Sequence, residues 1–377
     1  MTPLDEAFAT PRAPSFEVDW PALDARFDWV RRLKDTPQDA IHHAEGNVWI
    51  HTRMVCEALA ALPAYRASSE RDRRVAFASA LLHDVAKPFC TRHEEDGRIT
   101  TKGHSTKGAV EARKLLWRLG APFEEREEIA ANVRHHQAPF WLLERQDPLR
   151  VVAQITHTTR ASSLALVAEA DARGRICSDQ ERILLNIDLF REYCHEHGCF
   201  DRPFAFPSDH ARFLWSNGRL KDPTHAPHEA FRCEVVLMCG FPGSGKDHYV
   251  AEHFAGWPVV SLDRLRAEHD VHPDDDQGAI VQKAREEARE HLRAGRSFVW
   301  NATNISKQIR AKCIRLFADY DARVRIVYVE VPEAVLHAQN RSRKAVVPDR
   351  VLSDMLDRWE VPDRTEAHEV TYAVRTE

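Results

Sequence analysis

An all-helical domain followed by an α/β domain with a parallel sheet is predicted by three features of this 377-residue chain. From about Asp24 to Cys199, apolar residues recur at helical spacing in one segment after another. After Phe231, strand-length apolar runs alternate with helical stretches, the pattern of strands joined by crossover helices. Between the two, residues 201–231 carry four prolines and little periodicity, and read as a packed linker or seam because they also hold Phe204, Phe206, Phe213, Leu214 and Trp215. The expected division is a helical bundle over 24–200, a linker over 201–231 and a sheet domain over 232–377.

Composition narrows the class. With 43% hydrophobic and 29% charged residues, the chain reads as globular rather than disordered. No run approaches the roughly 18 apolar residues that span a bilayer, so no membrane association is expected. The first ten residues hold Asp5 and Glu6 and lack the basic-then-apolar order of a signal peptide. Eight scattered cysteines without a CxxC pair fit reduced thiols and a cytoplasmic location. A net charge of −5 excludes a global basic field for gripping long duplexes, leaving only local patches for an anionic partner. The 21 histidines stand out.

In the first half, the periodicity predicts helices over Asn47–Leu62, Arg73–Lys87, His104–Leu119, Pro122–Gln137, Leu149–Thr156, Ser162–Ala172 and Ser178–His195. Gly120 just beyond one helix and Pro122 at the first turn of the next suit helix boundaries. In the second half, strands are predicted over Glu234–Cys239, Val259–Leu262, Phe298–Asn301 and Val324–Val331. Helices are expected over Asp247–Phe254, Gln277–Ala294, Gln308–Ala318, Glu333–Gln339 and Arg350–Trp359.

Gly240-Phe241-Pro242-Gly243-Ser244-Gly245-Lys246 follows the first of those strands and precedes a helix, the context a phosphate-binding loop requires. Glycines let successive N–H groups turn inward to phosphate oxygens, and the helix N-terminus adds a favourable dipole. Lys246 would reach the β- and γ-phosphates. The motif's usual final Ser or Thr, the Mg²⁺ ligand, is Asp247 here; its carboxylate would serve as a hard-cation ligand or as a helix cap. At the next strand end stands Asp263, placed beside the loop because neighbouring parallel strands end in one crevice, where it would accept a proton from an attacking hydroxyl. Arg266, three residues on, would clamp a substrate phosphate. The run Asn340-Arg341-Ser342-Arg343-Lys344-Ala345-Val346-Val347-Pro348 suits a cationic lid over a triphosphate.

These residues resemble the polynucleotide 5′-kinase family: a GxxGxGK loop, an Asp-x-x-Arg at the next strand end and an arginine-bearing lid ending in Ala-Val-x-Pro style. The resemblance implies that Asp263 is the general base for a 5′-hydroxyl and that Arg266 binds the phosphate at the substrate's end. Arg341 and Arg343 both match its lid arginine. The stretch Trp300-Asn301-Ala302-Thr303-Asn304 resembles a polar strand end of these kinases, with no role assigned.

The helical half carries a different pattern. Leu81-Leu82-His83-Asp84-Val85-Ala86-Lys87 ends at Pro88, and adjacent His and Asp on a helix point about 100° apart. His51 shares a face with Val48 and Val55, and His136 with Ile129 and Val133, while His135 points away. His104 lies on the face of Gly108, Ala112 and Leu115, and Asp171 on that of Leu164 and Val167. Burying so many polar groups is costly unless they share a charge-compensating ion.

Their order, H…HD…H…H…D, resembles the HD phosphohydrolase superfamily, and Gly103-His104-Ser105-Thr106-Lys107-Gly108-Ala109 with Ala170-Asp171-Ala172-Arg173-Gly174 resembles the HD domain attached to bacterial tRNA nucleotidyltransferases. The resemblance implies His51, His83, Asp84, His104, His136 and Asp171 as ligands, with His135 as the substitute for His136. Six ligands in this order imply two metals about 3.5–4 Å apart for in-line displacement. His with carboxylate suits Mn, Fe, Ni, Co or Zn. Lys87 would contact a substrate phosphate or balance the helix C-terminus.

Joined in this order, the halves resemble the bacterial HD-Pnk family of end-healing enzymes. That implies removal of 2′,3′-cyclic, 2′- or 3′-phosphate ends and transfer of a γ-phosphate from ATP or another NTP to a 5′-hydroxyl. Mg²⁺ would serve the kinase, and the partners would be RNA or DNA ends and a separate ligase. Competing readings are a small-molecule or nucleotide kinase fused to an HD nucleotidase, a kinase regulated by a nucleotide-sensing HD domain, and a toxin-like kinase.

Overall fold

The computed structural model describes residues 2–271, 275, 277–343 and 346–376. The chain divides into two compact units, Met1–Ala205 and Phe206–Glu377, with the division falling inside the proline-bearing seam.

The first unit is helical apart from a short antiparallel pair, Arg92–His93 with Ile99–Thr100. The segments that matter for its site are Val48–Ala61, Glu70–Leu82, His104–Arg118, Phe123–His135 and Ala161–Arg173. Asn47 starts the first by accepting a bond from the Ile50 N–H at 2.9 Å, a cap worth about 1 kcal/mol. Helix Ala161–Arg173 packs on both Val48–Ala61 and Glu70–Leu82. Their approach requires Gly174, since a Cβ there would lie 2.6 Å from the Val55 backbone nitrogen. The core also includes Leu4, Phe8 and Leu23. The first 23 residues, which sequence periodicity leaves outside the bundle, therefore contribute side chains each worth roughly 1.5–3 kcal/mol when buried.

One expected helix is shorter than its pattern. Arg73–Lys87 is realised as Glu70–Leu82, and a separate turn of helix, Lys87–Cys90, follows. Between them tight bonds run from Val85 N–H to Leu82 O (3.1 Å) and from Lys87 N–H to Asp84 O (2.9 Å). Pro88 begins the new turn rather than ending the old helix, because a proline is tolerated in a first turn, where its missing donor is not needed. His83 and Asp84 thus sit at the mouth of a broken helix instead of one step apart on a continuous one.

In the second unit, five strands form one all-parallel sheet: β1 Cys233–Cys239, β2 Val259–Ser261, β3 Phe298–Asn301, β4 Ala322–Glu330 and β5 Glu369–Val374, in the order β2-β3-β1-β4-β5. Four match predicted runs; β5 does not, although Val370-Thr371-Tyr372-Ala373-Val374 is rich in strand-forming types. It is an edge strand, half-buried throughout, so it lacks the continuous apolar run that marks the central strands. From β1 the strand order extends both ways, with β3 and β2 on one side and β4 and β5 on the other. The carboxyl end of β1 therefore lies at the topological switch point, where open α/β sheets place ligands.

Part of the seam belongs to this unit. Helix Asp209–Ser216 docks through Arg212, which donates to the backbone carbonyls of Arg364 (2.9 Å) and His368 (2.8 Å). His368 Nδ1 accepts the Val324 N–H at 3.0 Å, so its proton sits on Nε2, 3.0 Å from His210 Nδ1. Burial pushes the His368 pKa down to about 3. Between that value and the unfolded value near 6.5, the unfolded chain binds a proton that the folded one does not, so stability falls as pH drops through this window. Melting temperature should decline from about pH 7 to pH 4.5. His368→Asn, which can accept the same bond without titrating, should flatten the slope; an unaltered slope in the variant would refute the assignment.

Candidate active sites

In the helical unit, the inward-facing groups converge. His51 Nε2 lies 3.1 Å from Asp171 Oδ1 and 3.2 Å from His83 Nε2. His83 Nε2 is 3.1 Å from Asp84 Oδ2, His104 Nε2 is 3.5 Å from Asp84 Oδ1, and His104 and His136 approach Nε2 to Nε2 at 3.4 Å. These six residues form two sets of potential ligand atoms: His51, His83 and Asp171, and Asp84, His104 and His136. All are buried, His104 the most accessible at 7%. His136 faces this cluster, whereas its neighbour His135 is half-exposed.

The other ring nitrogens fix the tautomers. His83, His104 and His136 direct Nδ1 at the carbonyls of Ala80 (2.7 Å), Thr101 (2.8 Å) and Val133 (2.8 Å). His51 Nδ1 faces Glu45 Oε1 at 2.8 Å. With Nδ1 protonated, all four Nε2 lone pairs point inward, and two pairs of them face each other. Among the described residues neither Asp84 oxygen receives a well-aligned hydrogen bond, though Lys87 Nζ lies 2.7 Å from Oδ2. Converging lone pairs and bare carboxylate oxygens are the donor set a divalent cation satisfies, and bonded Nδ1 atoms are the usual support of histidine ligands. Burial pushes the His136 pKa down to about 3, keeping the ring neutral. Burial also opposes charging of His83, but Asp84 beside it outweighs that and raises its pKa.

Several supporting residues escaped the sequence reading. Glu45 takes His43 Nδ1 and His51 Nδ1, both at 2.8 Å, on Oε1, and the Ile176 N–H on Oε2 at 2.9 Å. Arg175 grips Asp171 with two bonds of 2.9 and 2.8 Å. Gln38 accepts from Lys87 Nζ at 2.6 Å. Asn132, one turn before His136, joins Ser79, Ser163 and Thr159 and so ties three segments together. His43 and Glu45 lie in a loop where no periodicity points inward; their two-residue spacing from each other and nearness to His51 were the available signal. Glu45→Ala should weaken metal retention about 10–100-fold, as losing a group behind a ligand does, measured by chelator competition. Glu45→Gln should retain more of it, and equal affinity in both variants and wild type would refute the role.

In the sheet unit, Gly240 leaves β1 with φ of 149°, and a Cβ there would lie 2.4 Å from the Val329 carbonyl on β4, so only glycine lets the loop pass. Helix Lys246–His253 follows directly. Ser244 Oγ is buried, with no hydrogen-bond partner among the described residues. Lys246 Nζ donates to Gly240 O (2.9 Å) and Phe241 O (2.8 Å). Although part of its side chain touches solvent, desolvation inside the loop pushes its pKa down to about 8, against the pull of Asp247 and Asp263.

The stretch with no assigned role supports the loop. Thr303 O accepts the Gly240 N–H at 2.9 Å, Asn304 Nδ2 donates to Met238 O at 2.7 Å, and Asn301 Nδ2 donates to Asp247 Oδ1 at 2.6 Å. Asp263 stands in the first turn of helix Leu262–Glu268, immediately after β2, whose last residue Ser261 pairs with Asn301 on β3. Arg266 bonds Asp263 Oδ1, and Arg343 Nη2 lies 2.8 Å from its Oδ2. Arg266 Nε also donates to Gln277 at 2.7 Å. Arg341 is exposed at the end of helix Glu333–Ser342, so of the two arginines expected in a lid only Arg343 meets Asp263 among the described residues. Lys344 and Ala345 lie outside the described residues. Buried Asn340 ties the ends of this segment, donating to Val347 O (2.7 Å) and accepting from its N–H (3.1 Å).

Set beside known families, the chain joins an HD domain, matched over residues 47–165, to a P-loop domain, matched over 235–362 by the family described as AAA domain. An HD domain implies divalent-metal binding, and a P-loop domain implies nucleotide and Mg²⁺. Among curated relatives, the multifunctional CCA protein of Xanthomonas campestris pv. campestris (strain B100) is 30% identical over 169 residues, 43% of this chain and 38% of that protein. The multifunctional CCA protein of Verminephrobacter eiseniae (strain EF01-2) is 32% identical over 166 residues, 41% of this chain and 36% of that one. The chain thus spans little more than a third of the length of either relative. A sugar kinase from Janibacter sp. HTCC2649 aligns with a TM-score of 0.30 at 17% identity, over 38% of this chain and 85% of that one, a likeness too slight to add to the fold argument. No helix among the described residues is long and apolar enough to cross a membrane.

Proposed function

We propose that the chain heals broken nucleic-acid strands, RNA in particular, converting a 2′,3′-cyclic, 2′- or 3′-phosphate end and a 5′-hydroxyl end into the 3′-hydroxyl and 5′-phosphate that a separate ligase needs. The reading rests above all on Asp263, set at the strand end beside the phosphate loop and held by Arg266 and Arg343. In the kinase reaction the 5′-oxygen bonds to the γ-phosphorus of an NTP, the bond from that phosphorus to the β-phosphate bridge breaks, and the hydroxyl proton passes to the Asp263 carboxylate. Lys246 and the loop N–H groups hold the β- and γ-phosphates. Arg266 holds the phosphate next to the reacting nucleotide, and Arg343 faces the charge that builds on the transferred group.

In the HD unit, His51, His83 and Asp171 would hold one divalent ion and Asp84, His104 and His136 another. When bound, such ions supply the Lewis acidity and activated water that phosphate-ester hydrolysis uses. Arg175 and Glu45 orient the ligands, and Lys87 adds a positive charge toward a substrate phosphate.

A 5′-OH RNA oligonucleotide with γ-labelled ATP and Mg²⁺ tests the first activity, and a 2′,3′-cyclic-phosphate RNA with Mn²⁺ the second. Label transfer and phosphate removal are expected. ATP binding without transfer to any RNA or DNA end would replace this reading with a small-molecule kinase.

A further inference from the structure

The P-loop of this chain differs from the usual motif in its charge. Where a neutral hydroxyl commonly ends the motif, Asp247 places a carboxylate in the first turn of the loop helix. Asp247 makes no ion pair among the described residues. Its polar partner is the neutral amide of Asn301, a 7%-exposed residue at the end of β3, which bonds Oδ1 at 2.6 Å. The second carboxylate nearby, Asp263, is already matched by Arg266 and Arg343. Asp247 therefore adds a negative charge that no ion pair among the described residues neutralises, beside the phosphates' seat and within the field of the Lys246 ammonium.

We propose that nucleotide binding by this loop is conditional on a divalent cation: Asp247, aimed by Asn301, repels a free nucleoside polyphosphate and welcomes one only when a cation lies between carboxylate and phosphate. A hydroxyl at that position would ligate the cation without repelling the bare nucleotide. A carboxylate converts the cation from an aid to a requirement, because unlike a hydroxyl it holds a full charge, on an exposed side chain at the rim of the loop, next to where the phosphates would sit. Occupying Oδ1 with the Asn301 bond fixes the carboxylate plane and leaves the other oxygen for the cation. The practical outcome is discrimination: only the metal complex of a nucleotide is admitted. The inference rests on the loop binding a nucleotide, and not on the acceptor being a polynucleotide.

The test is calorimetric binding of ADP to the full chain in Mg²⁺ and in EDTA, for wild type, Asp247→Ser, Asp247→Asn and Asn301→Ala. Wild-type affinity should drop on the order of a hundredfold in EDTA, from the repulsion of near charges moderated by salt. Asp247→Ser and Asp247→Asn should bind ADP in EDTA far more tightly than wild type does. Because EDTA acts on the helical unit equally in all four proteins, a difference between them reports on the loop. Asn301→Ala should lose several-fold affinity in Mg²⁺ while its EDTA affinity stays at the wild-type level. Equal wild-type affinity in both media would overturn the proposal, as would the same EDTA loss in both Asp247 variants. A chain that binds ADP in neither medium would overturn it together with the nucleotide reading of the loop, an outcome distinct from failure of RNA to serve as acceptor.

Discussion

Asp84→Ala is expected to abolish phosphate release from 2′,3′-cyclic-phosphate RNA, with a loss well beyond the ~100-fold that removing a supporting group costs, while leaving transfer to 5′-OH ends intact. Asp84 belongs to the set of His104 and His136 yet touches the other: Oδ1 lies 3.5 Å from His104 Nε2 and Oδ2 3.1 Å from His83 Nε2. Its loss removes ligand oxygens and one negative charge, and leaves the buried Lys87 ammonium facing converging imidazoles, so metal content should fall along with activity. Since removing one partner of a buried pair is itself destabilising, the thermal melt must be read alongside. Asp84→Asn keeps the shape and supplies the discriminating control. If Asp84→Asn retains full hydrolysis and metal content, the cluster is not the hydrolytic centre.

Asp263→Asn should reduce 5′-phosphorylation by about 10²–10⁴-fold, the usual yield of general-base catalysis. The effect should fall on the turnover number, with the KM for ATP nearly unchanged, because the nucleotide's phosphates are held by the loop and Lys246. Asp263 is largely exposed, its side chain 61% accessible, so its pairs with Arg266 and Arg343 contribute little to stability and the variant should fold normally. Phosphate release by the HD unit should persist. An Asp263→Asn protein with wild-type turnover would move the base elsewhere and weaken the polynucleotide assignment with it.

Much of this organisation was legible in one dimension because its signals are local. A phosphate loop is a contiguous segment whose glycines meet a backbone requirement, and strands buried on both faces announce themselves as unbroken apolar runs. The inward histidines were legible for a related reason: helical periodicity says which face is buried, and a polar group there needs an explanation. Where periodicity ended, so did the reading. Glu45 and His43 lie in a loop, Pro88 starts a helix where it was expected to stop one, and β5 is an edge strand with half-buried side chains throughout.

That a helical half rich in inward His and Asp precedes a sheet half with a phosphate loop follows from residue types at fixed spacing, which set local conformation and which face is buried. Which groups meet depends on how the elements pack: His136 rather than His135 in the cluster, Arg343 rather than Arg341 against Asp263, Glu45 behind His51, and Asn301 against Asp247. Each of those contacts joins segments from separate elements. Spacing along the chain fixes where a side chain starts, but the packing of distant helices and the order of strands in the sheet fix what it reaches.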